Sequence, residues 1–411
     1  MTTQDPRTVT GPDHRQSKET LMSSTRNFPG TPTMRAFSAA VVAKVPICFE
    51  SHPGQGKSSK ITATGEKSGY LVKCVVGSVR EATDFLGLPV EQSDPKTGQA
   101  RVSNVPPDFA VELRAAAKPL LFLDEINTAM ESTRKAMLRL IQEGYAGDFY
   151  MGPDLAIVAA QNPPETATGG TELDPAIANR MMHLAWAFDA DEWLRGISVG
   201  FENLDQPGID DLASGGTEAD KARASSIVAG YIHHAGQHLA PTPPEDPIEA
   251  GKAWPSPRSW HNLARVLAHV DAADEEAMTL VVQGLVGEGV SKDFFAWLAL
   301  ADLHNPQEVM DDPSIVDWRG ERPDRIFGLL SGIEALAIFR ADAATWEKAI
   351  NVMTVCAENG RPDAALPSTN GLLGRRPQGT RLTERTRTAF ADLLTRTRHG
   401  YAEQAPLAQA V

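Results

Sequence analysis

The stretch Ser51-His52-Pro53-Gly54-Gln55-Gly56-Lys57-Ser58, which follows the apolar run Val45-Pro46-Ile47-Cys48-Phe49, limits what this chain can fold into more than any other. Apart from its first residue it fits the loop G-x-x-x-x-G-K-[ST]. In that loop successive backbone N–H groups curl around a β-phosphate, the lysine reaches the β/γ oxygens and the hydroxyl holds Mg²⁺. It needs a strand before it and a helix after it, with the helix N-terminus facing the phosphates. Pro53, Gly54, Gln55, Gly56, Lys57, Ser58 and Ser59 are therefore the candidate nucleotide contacts. Ser51 stands where glycine is usual, and a serine takes positive φ only at some cost. The expectation is a working loop with slowed hydrolysis.

Residues 1–33 carry few large apolar groups and read as a flexible tail. From Met34 a short helical pattern leads into the first strand, and Lys57 to Glu66 reads as the helix after the loop. Tyr70 to Val79 reads as a strand covered on both faces, because Leu71, Val72, Cys74, Val75 and Val76 are nearly continuous. Thr83 to Pro107 is loop-rich, and a short helix follows at Asp108 to Ala117. Leu120-Leu121-Phe122-Leu123-Asp124-Glu125 describes a buried parallel strand whose C-terminal end carries two acids, the edge at which open α/β sheets bind ligands. Asp124 suits the metal side and Glu125 a general base acting on water.

Residues 128–143 have helical spacing, and Gly144 to Asp154 looks like a hairpin. Leu155 to Ala160 is another buried strand, running into Gln161-Asn162-Pro163-Pro164, so Asn162 falls at the edge that carries Asp124. An asparagine there can orient water or touch a terminal phosphate; a turn-initiating Asn before proline is the bland alternative. Leu173 to Arg180 gives a short helix before the strand Met181 to Trp186.

A length of 411 residues points to two or three domains. A net charge of −14 disfavours a main role in gripping nucleic-acid backbones, which requires clustered Lys and Arg. Cys48, Cys74 and Cys356 have no disulfide or zinc spacing and read as reduced core residues. With no long apolar stretch and no leader-like N-terminus, the expectation is a soluble, cytoplasmic protein without a membrane role.

Phosphate loop, LFLDE, AAQNPP and Ala178-Asn179-Arg180 before a strand, in this order, resemble the AAA+ ATPases and specifically their MoxR-like branch. Val79 to Pro89 is similar to a stretch that this branch carries after its second strand. The resemblance implies an α/β fold, a three-layer αβα parallel sheet over 34–195, followed by a helical lid and further C-terminal helices. It implies ATP and Mg²⁺ as cofactors, a homo-oligomer in the form of a hexameric ring with ATP between subunits, and a Mg-dependent ATPase. By position, Lys57 and Ser58 match Walker A, Asp124 and Glu125 Walker B, and Asn162 sensor 1. Arg180 matches the arginine finger reaching the neighbouring subunit, a group worth roughly 10³ to 10⁵ in rate in other P-loop enzymes. MoxR-like proteins often act as chaperone-like partners of von Willebrand factor A proteins, so such a partner and a remodelling or assembly role are implied. A nucleic-acid-directed motor and an ATP-gated scaffold with little hydrolysis are the alternatives.

Beyond the sheet, residues 196–221 read as an acidic, Gly-rich linker, 222–304 as the lid and 305–411 as a C-terminal helical region. Ser256-Pro257 is a favourable helix start, and Trp260, Leu263 and Leu267 give that helix an apolar stripe. Arg258 in its first turn resembles the sensor 2 arginine of the lid, which contacts the γ-phosphate in many members and would couple hydrolysis to lid rotation. Residues 359–381 read as a Pro/Gly-rich loop.

Overall fold

A computed structural model describes residues 28–93, 98–163 and 171–397. Most of the expected tail lies outside these residues. Its last two positions are already helical: α1 runs Pro32–Val42, with Thr31 as N-cap accepting from the Met34 amide at 3.3 Å and Pro32 at the first position. In chain order β1 (Ile47–Glu50), α2 (Lys57–Lys67), β2 (Leu71–Val76), α3 (Thr83–Leu86), β3 (Leu88–Ser93), β4 (Ala100–Val105), α4 (Asp108–Ala115) and β5 (Pro119–Asp124) follow. Then come α5 (Glu131–Glu143), β6 (Tyr145–Ala146), β7 (Phe149–Tyr150), β8 (Ala156–Gln161), α6 (Pro175–Ala178) and β9 (Met182–Ala185).

Five strands form one parallel sheet in the order β2-β5-β8-β1-β9. Alternate residues feed two cores, as the two-residue strand period requires. Ile47, Phe49, Leu120, Phe122, Val158 and Ala160 face α1 and α2. Cys48, Leu121, Leu123, Ile157 and Ala159 face α4 and α5 through Leu113, Met137 and Leu140. Each large side chain so buried contributes about 1.5–3 kcal/mol. This is the three-layer α/β fold expected from the sequence, and it brings the C-terminal ends of β1, β5 and β8 to one edge.

Several local expectations are corrected. The strand at Leu71–Val76 is an edge strand of the sheet, with Leu71 and Cys74 exposed rather than covered, so only Cys48 and Cys356 are core thiols. The loop-rich stretch holds an antiparallel hairpin, β3 with β4, whose strands are almost wholly exposed. With no buried face, it leaves no apolar alternation to read. The linker region begins inside a helix, α7 (Ala190–Val199), and also contains α8 (Ile209–Leu212).

The remaining helices are α9 (Glu218–His234), α10 (Pro247–Ala250), α11 (Pro257–Leu267), α12 (Glu275–Val286), α13 (Glu288–Ala301), α14 (Pro306–Asp311), α15 (Pro323–Arg340), α16 (Ala343–Glu358), α17 (Pro362–Gly374) and α18 (Glu384–Thr397). The expected loop over 359–381 is largely α17, with Pro362 at its first position and Pro367 inside it. Pro362 suits a helix start, and packing overrides Pro367: Leu372 is fully buried, and its carbonyl accepts from the Trp346 indole at 2.9 Å. Among the described residues, no helix is long and apolar enough to cross a membrane.

The lid helices α9, α11, α12 and α13 share one continuous core with the sheet, through Trp260, Leu263, Val282 and Phe294. At Gly284 of α12 an added Cβ would lie 2.4 Å from the His183 carbonyl on β9, so helix and edge strand touch backbone to backbone. Arg35 of α1 grips Asp274, the N-cap of α12, at 2.5 and 3.0 Å, with both residues almost fully buried. The C-terminal helices have a second core around Leu329, Leu330, Ile333, Trp346 and Met353. Asp274→Ala would strand a buried guanidinium and remove a cap. Urea unfolding should show a loss of about 3–5 kcal/mol, and a loss under about 1 kcal/mol would mean that the pair does not hold lid to sheet.

Candidate functional site

The loop after β1 takes its shape from two glycines. Gly54 and Gly56 sit at φ +79° and +74°, where other residues are strained, and no atom lies within 4 Å of a Cβ built on either. The cradle is therefore open on its outer side. Trp186, just past β9, stacks edge-on to Phe49 and donates its indole N–H to the Gln55 carbonyl at 3.2 Å, which fixes the loop from below. Pro53, Gly54 and Ser59 are exposed on the rim, while Lys57 opens α2 and is buried.

Lys57 Nζ donates to the Ser51 carbonyl at 3.0 Å and to Asn162 Oδ1 at 3.3 Å. Burial pushes its ammonium below the usual lysine range, and nearby Asp124 opposes that shift. Ser58 Oγ donates to Asp124 Oδ2 at 2.6 Å. Loop, strand-end acid and asparagine thus converge from β1, β5 and β8, as their places at strand ends predict. Asn127 Nδ2 donates to the Asn162 carbonyl at 2.8 Å and steadies that turn.

Glu125 has left-handed backbone, φ 55° and ψ 41°, a conformation costing a non-glycine residue roughly 1–2 kcal/mol. Two local bonds hold it there. The Glu125 amide donates to Asp124 Oδ1 at 2.9 Å, and Thr128 Oγ1 donates to the Glu125 carbonyl at 3.0 Å. Its carboxylate accepts a hydrogen bond from Ser78 Oγ. The sequence reading gives Ser78, Asn127 and Trp186 no part in the site. Ser78 could have been found by noting that β2 runs beside β5 and must end at the same edge.

The residues present fit a nucleotide with Mg²⁺: an open glycine cradle, a buried cation, and a hydroxyl paired with a carboxylate. Lys57 is the group that would hold phosphate oxygens, and Ser58 with Asp124 would hold the ion.

Arg180 and Arg258 lie elsewhere. They line a cavity of about 270 Å³ together with Lys44 and Pro46, which precede β1, and Leu155 and Ile157 at the start of β8. That is the N-terminal edge of the sheet. The six residues of β8 at about 3.3 Å per residue put roughly 17 Å between the two edges. Arg258 therefore does not reach the phosphate loop of its own chain, contrary to the reading of a lid arginine over the γ-phosphate. The lid packs on the sheet face and on β9, which carries the start of α11 to the far edge. Arg180 donates to Gln142 Oε1 at 2.7 Å and to the Ala176 carbonyl, and its Nε is buried with no hydrogen-bond partner. Burial and the neighbouring Arg258 lower its pKa.

No family model matches the chain. A solved structure from Cytophaga hutchinsonii, named only as a putative ATPase, aligns at 16% identity and a TM-score of 0.39, covering 69% of this chain and 94% of that one. At that score the likeness carries no argument, and the fold class rests on strand order and register.

Ser51 has no positive φ, so the expected strain at the loop's first residue is not there. Its contribution to Lys57 is a main-chain carbonyl, which any residue supplies. Ser51→Gly should change nucleotide affinity by less than about twofold, whereas Trp186→Phe, losing a hydrogen bond worth about 1 kcal/mol, should weaken it about fivefold. Calorimetric titration of nucleotide into both variants checks this, and a large gain for Ser51→Gly would contradict it.

Proposed function

We propose that this chain is a Mg-dependent ATPase of the AAA+ type, MoxR-like, working as a chaperone-like remodelling or assembly factor. The observation that carries the reading is the convergence of Lys57, Ser58, Asp124 and Asn162 at one edge of the parallel sheet, through the contacts Lys57–Asn162 and Ser58–Asp124. When bound, Mg²⁺ would neutralise charge on the phosphate oxygens. Lys57 binds those oxygens, Ser58 and Asp124 orient the metal side, Asn162 positions water, and a Glu125 carboxylate oxygen takes the proton from it. Release of Glu125 from Ser78 precedes that step.

The arginines support the multi-subunit part of the reading. Arg180 and Arg258 sit at one edge and the phosphate loop at the other, so only a head-to-tail contact between protomers brings them together. Head-to-tail contacts close into rings when the rotation permits. The proposed assembly is a homo-oligomeric ring, hexameric by resemblance, in which both arginines serve the nucleotide held by the next protomer. A von Willebrand factor A-type partner is proposed on resemblance alone. A non-hydrolysing scaffold loses its main support, because it rested on a strained Ser51.

Steady-state ATP turnover with parallel nucleotide-binding measurements tests the reading. Glu125→Gln should lower turnover at least about 100-fold, in the range of a removed general base, with binding retained. Arg180→Ala should lower it about 1000-fold, the lower bound for an arginine acting in trans. If wild type turned over no faster than Glu125→Gln, the enzymatic reading would fall.

A further inference from the structure

Helix α7 is built inside out. Of its ten residues only Gly196 is buried, while Trp193, Leu194 and Ile197 are 46%, 56% and 62% exposed. Spaced i, i+1 and i+4, these three form one continuous face. Phe201, itself half exposed, lies across Gly196 and extends that face, since a Cβ added to the glycine would meet its ring at 2.4 Å. An ordinary surface helix turns its apolar stripe toward the core, whereas α7 is attached through polar groups. The Glu192 carboxylate accepts a hydrogen bond from Lys60 of α2, and Asp189 caps the helix by accepting from the Glu192 amide at 2.9 Å. Side chains of this size, about half exposed, leave roughly 300–400 Å² of apolar surface open, the scale at which such patches mark interaction sites.

The rim of the face is acidic. Residues 189–205 hold Asp189, Asp191, Glu192, Glu202 and Asp205, with Arg195 as their one cation. The same stretch leads to the point where the described chain begins. Glu192 pairs with Lys60 and Asp205 pairs with Lys67 at 3.4 Å, so 192–205 lies along α2, with these two contacts about 10 Å apart at 1.5 Å of rise per residue. Two residues further on, Pro207 meets Gly30: a Cβ built on that glycine would lie 3.7 Å from Pro207 and 2.7 Å from Leu212 of α8. Phe28, just before it, stacks under the Arg35 guanidinium at 5.2 Å. The chain that precedes Phe28 therefore joins the fold at the end of the acidic stretch.

That preceding chain has the complementary composition. In a protein of net charge −14, residues 15–26 carry Arg15, Lys18 and Arg26 against a single acid, Glu19, and the pair Leu21-Met22 stands between the cations. The six residues from Met22 to Phe28 span up to about 20 Å when extended, enough to pass Asp205 and reach Trp193.

We propose that the outer face of α7 is the docking surface for residues 15–26 of the same chain, with Leu21 and Met22 covering Trp193, Leu194 and Ile197 and the three cations facing the acidic rim. The inference goes beyond the ATPase reading and holds whether or not ATP is hydrolysed. It ties the N-terminal segment to a helix held by α2, the helix that Lys57 opens.

Hydrogen exchange read by mass spectrometry on the full chain, at two protein concentrations, tests it. Leu21→Asp with Met22→Asp should speed exchange across 190–201 at least about tenfold, the effect of uncovering one large apolar side chain, and by the same factor at both concentrations. Trp193→Asp should in turn speed exchange across 15–26; Trp193 is exposed, so this variant removes no core packing. Lys18→Glu with Arg26→Glu should speed exchange across 190–201 at low salt and much less at high salt, as screening of exposed charges requires. Exchange across 190–201 left unchanged by Leu21→Asp with Met22→Asp would overturn the proposal. So would protection of α7 that rises with concentration and ignores those substitutions, because a second copy would then be its cover.

Discussion

Side-chain alternation along three adjacent parallel strands is the constraint on which the rest of the structure depends. In β1, β5 and β8 the residues Ile47 to Phe49, Leu120 to Leu123 and Ala156 to Ala160 alternate between two covered cores, so these runs are apolar without a break and cannot slip by one position without exchanging cores. Register then decides function. Ile47 lies opposite Val158 and Glu50 opposite Gln161, which brings Ser51 and Asn162 to the same level, while Leu123 beside Ala159 sets Asp124 within reach of Ser58. The polar groups of the site are the first residues past the end of a buried pattern.

Strong local patterns are why the centre of the fold was legible in the sequence. Lys57, Ser58, Asp124 and Asn162 follow directly from apolar runs of strand length, and their observed contacts are those their order implies. Ser256 as N-cap and Pro257 as first helical residue were legible for the same reason, since both act through local backbone chemistry. What could not be read lacks such a pattern or depends on distant partners. The β3–β4 hairpin buries neither face, and α17 forms despite Pro367 because Trp346 and Leu372 lock together. Ser78 and Trp186 meet the site through strand neighbours that only the sheet order reveals.

The placement of Arg258 is the most instructive difference. Its helix start, cap and apolar stripe were all legible, yet the face that α11 presents to the sheet was not. That face follows from a tertiary contact, the close approach of α12 to β9 at Gly284, and from the Arg265 bonds to the carbonyls of Ala43 and Lys44. Local helix chemistry fixes where an arginine sits on its helix, whereas packing fixes which edge of the sheet the helix meets.

The Arg35–Asp274 clasp and the shared core carry a mechanical consequence. A lid that hinged on its own would have to separate a buried ion pair and expose apolar surface around Trp260 and Phe294. Sheet and lid are instead one stiff body with its phosphate cradle at one end and its cationic cavity at the other. Tilting that body would move both ends together, so the chain is built as a lever arm rather than as a jaw.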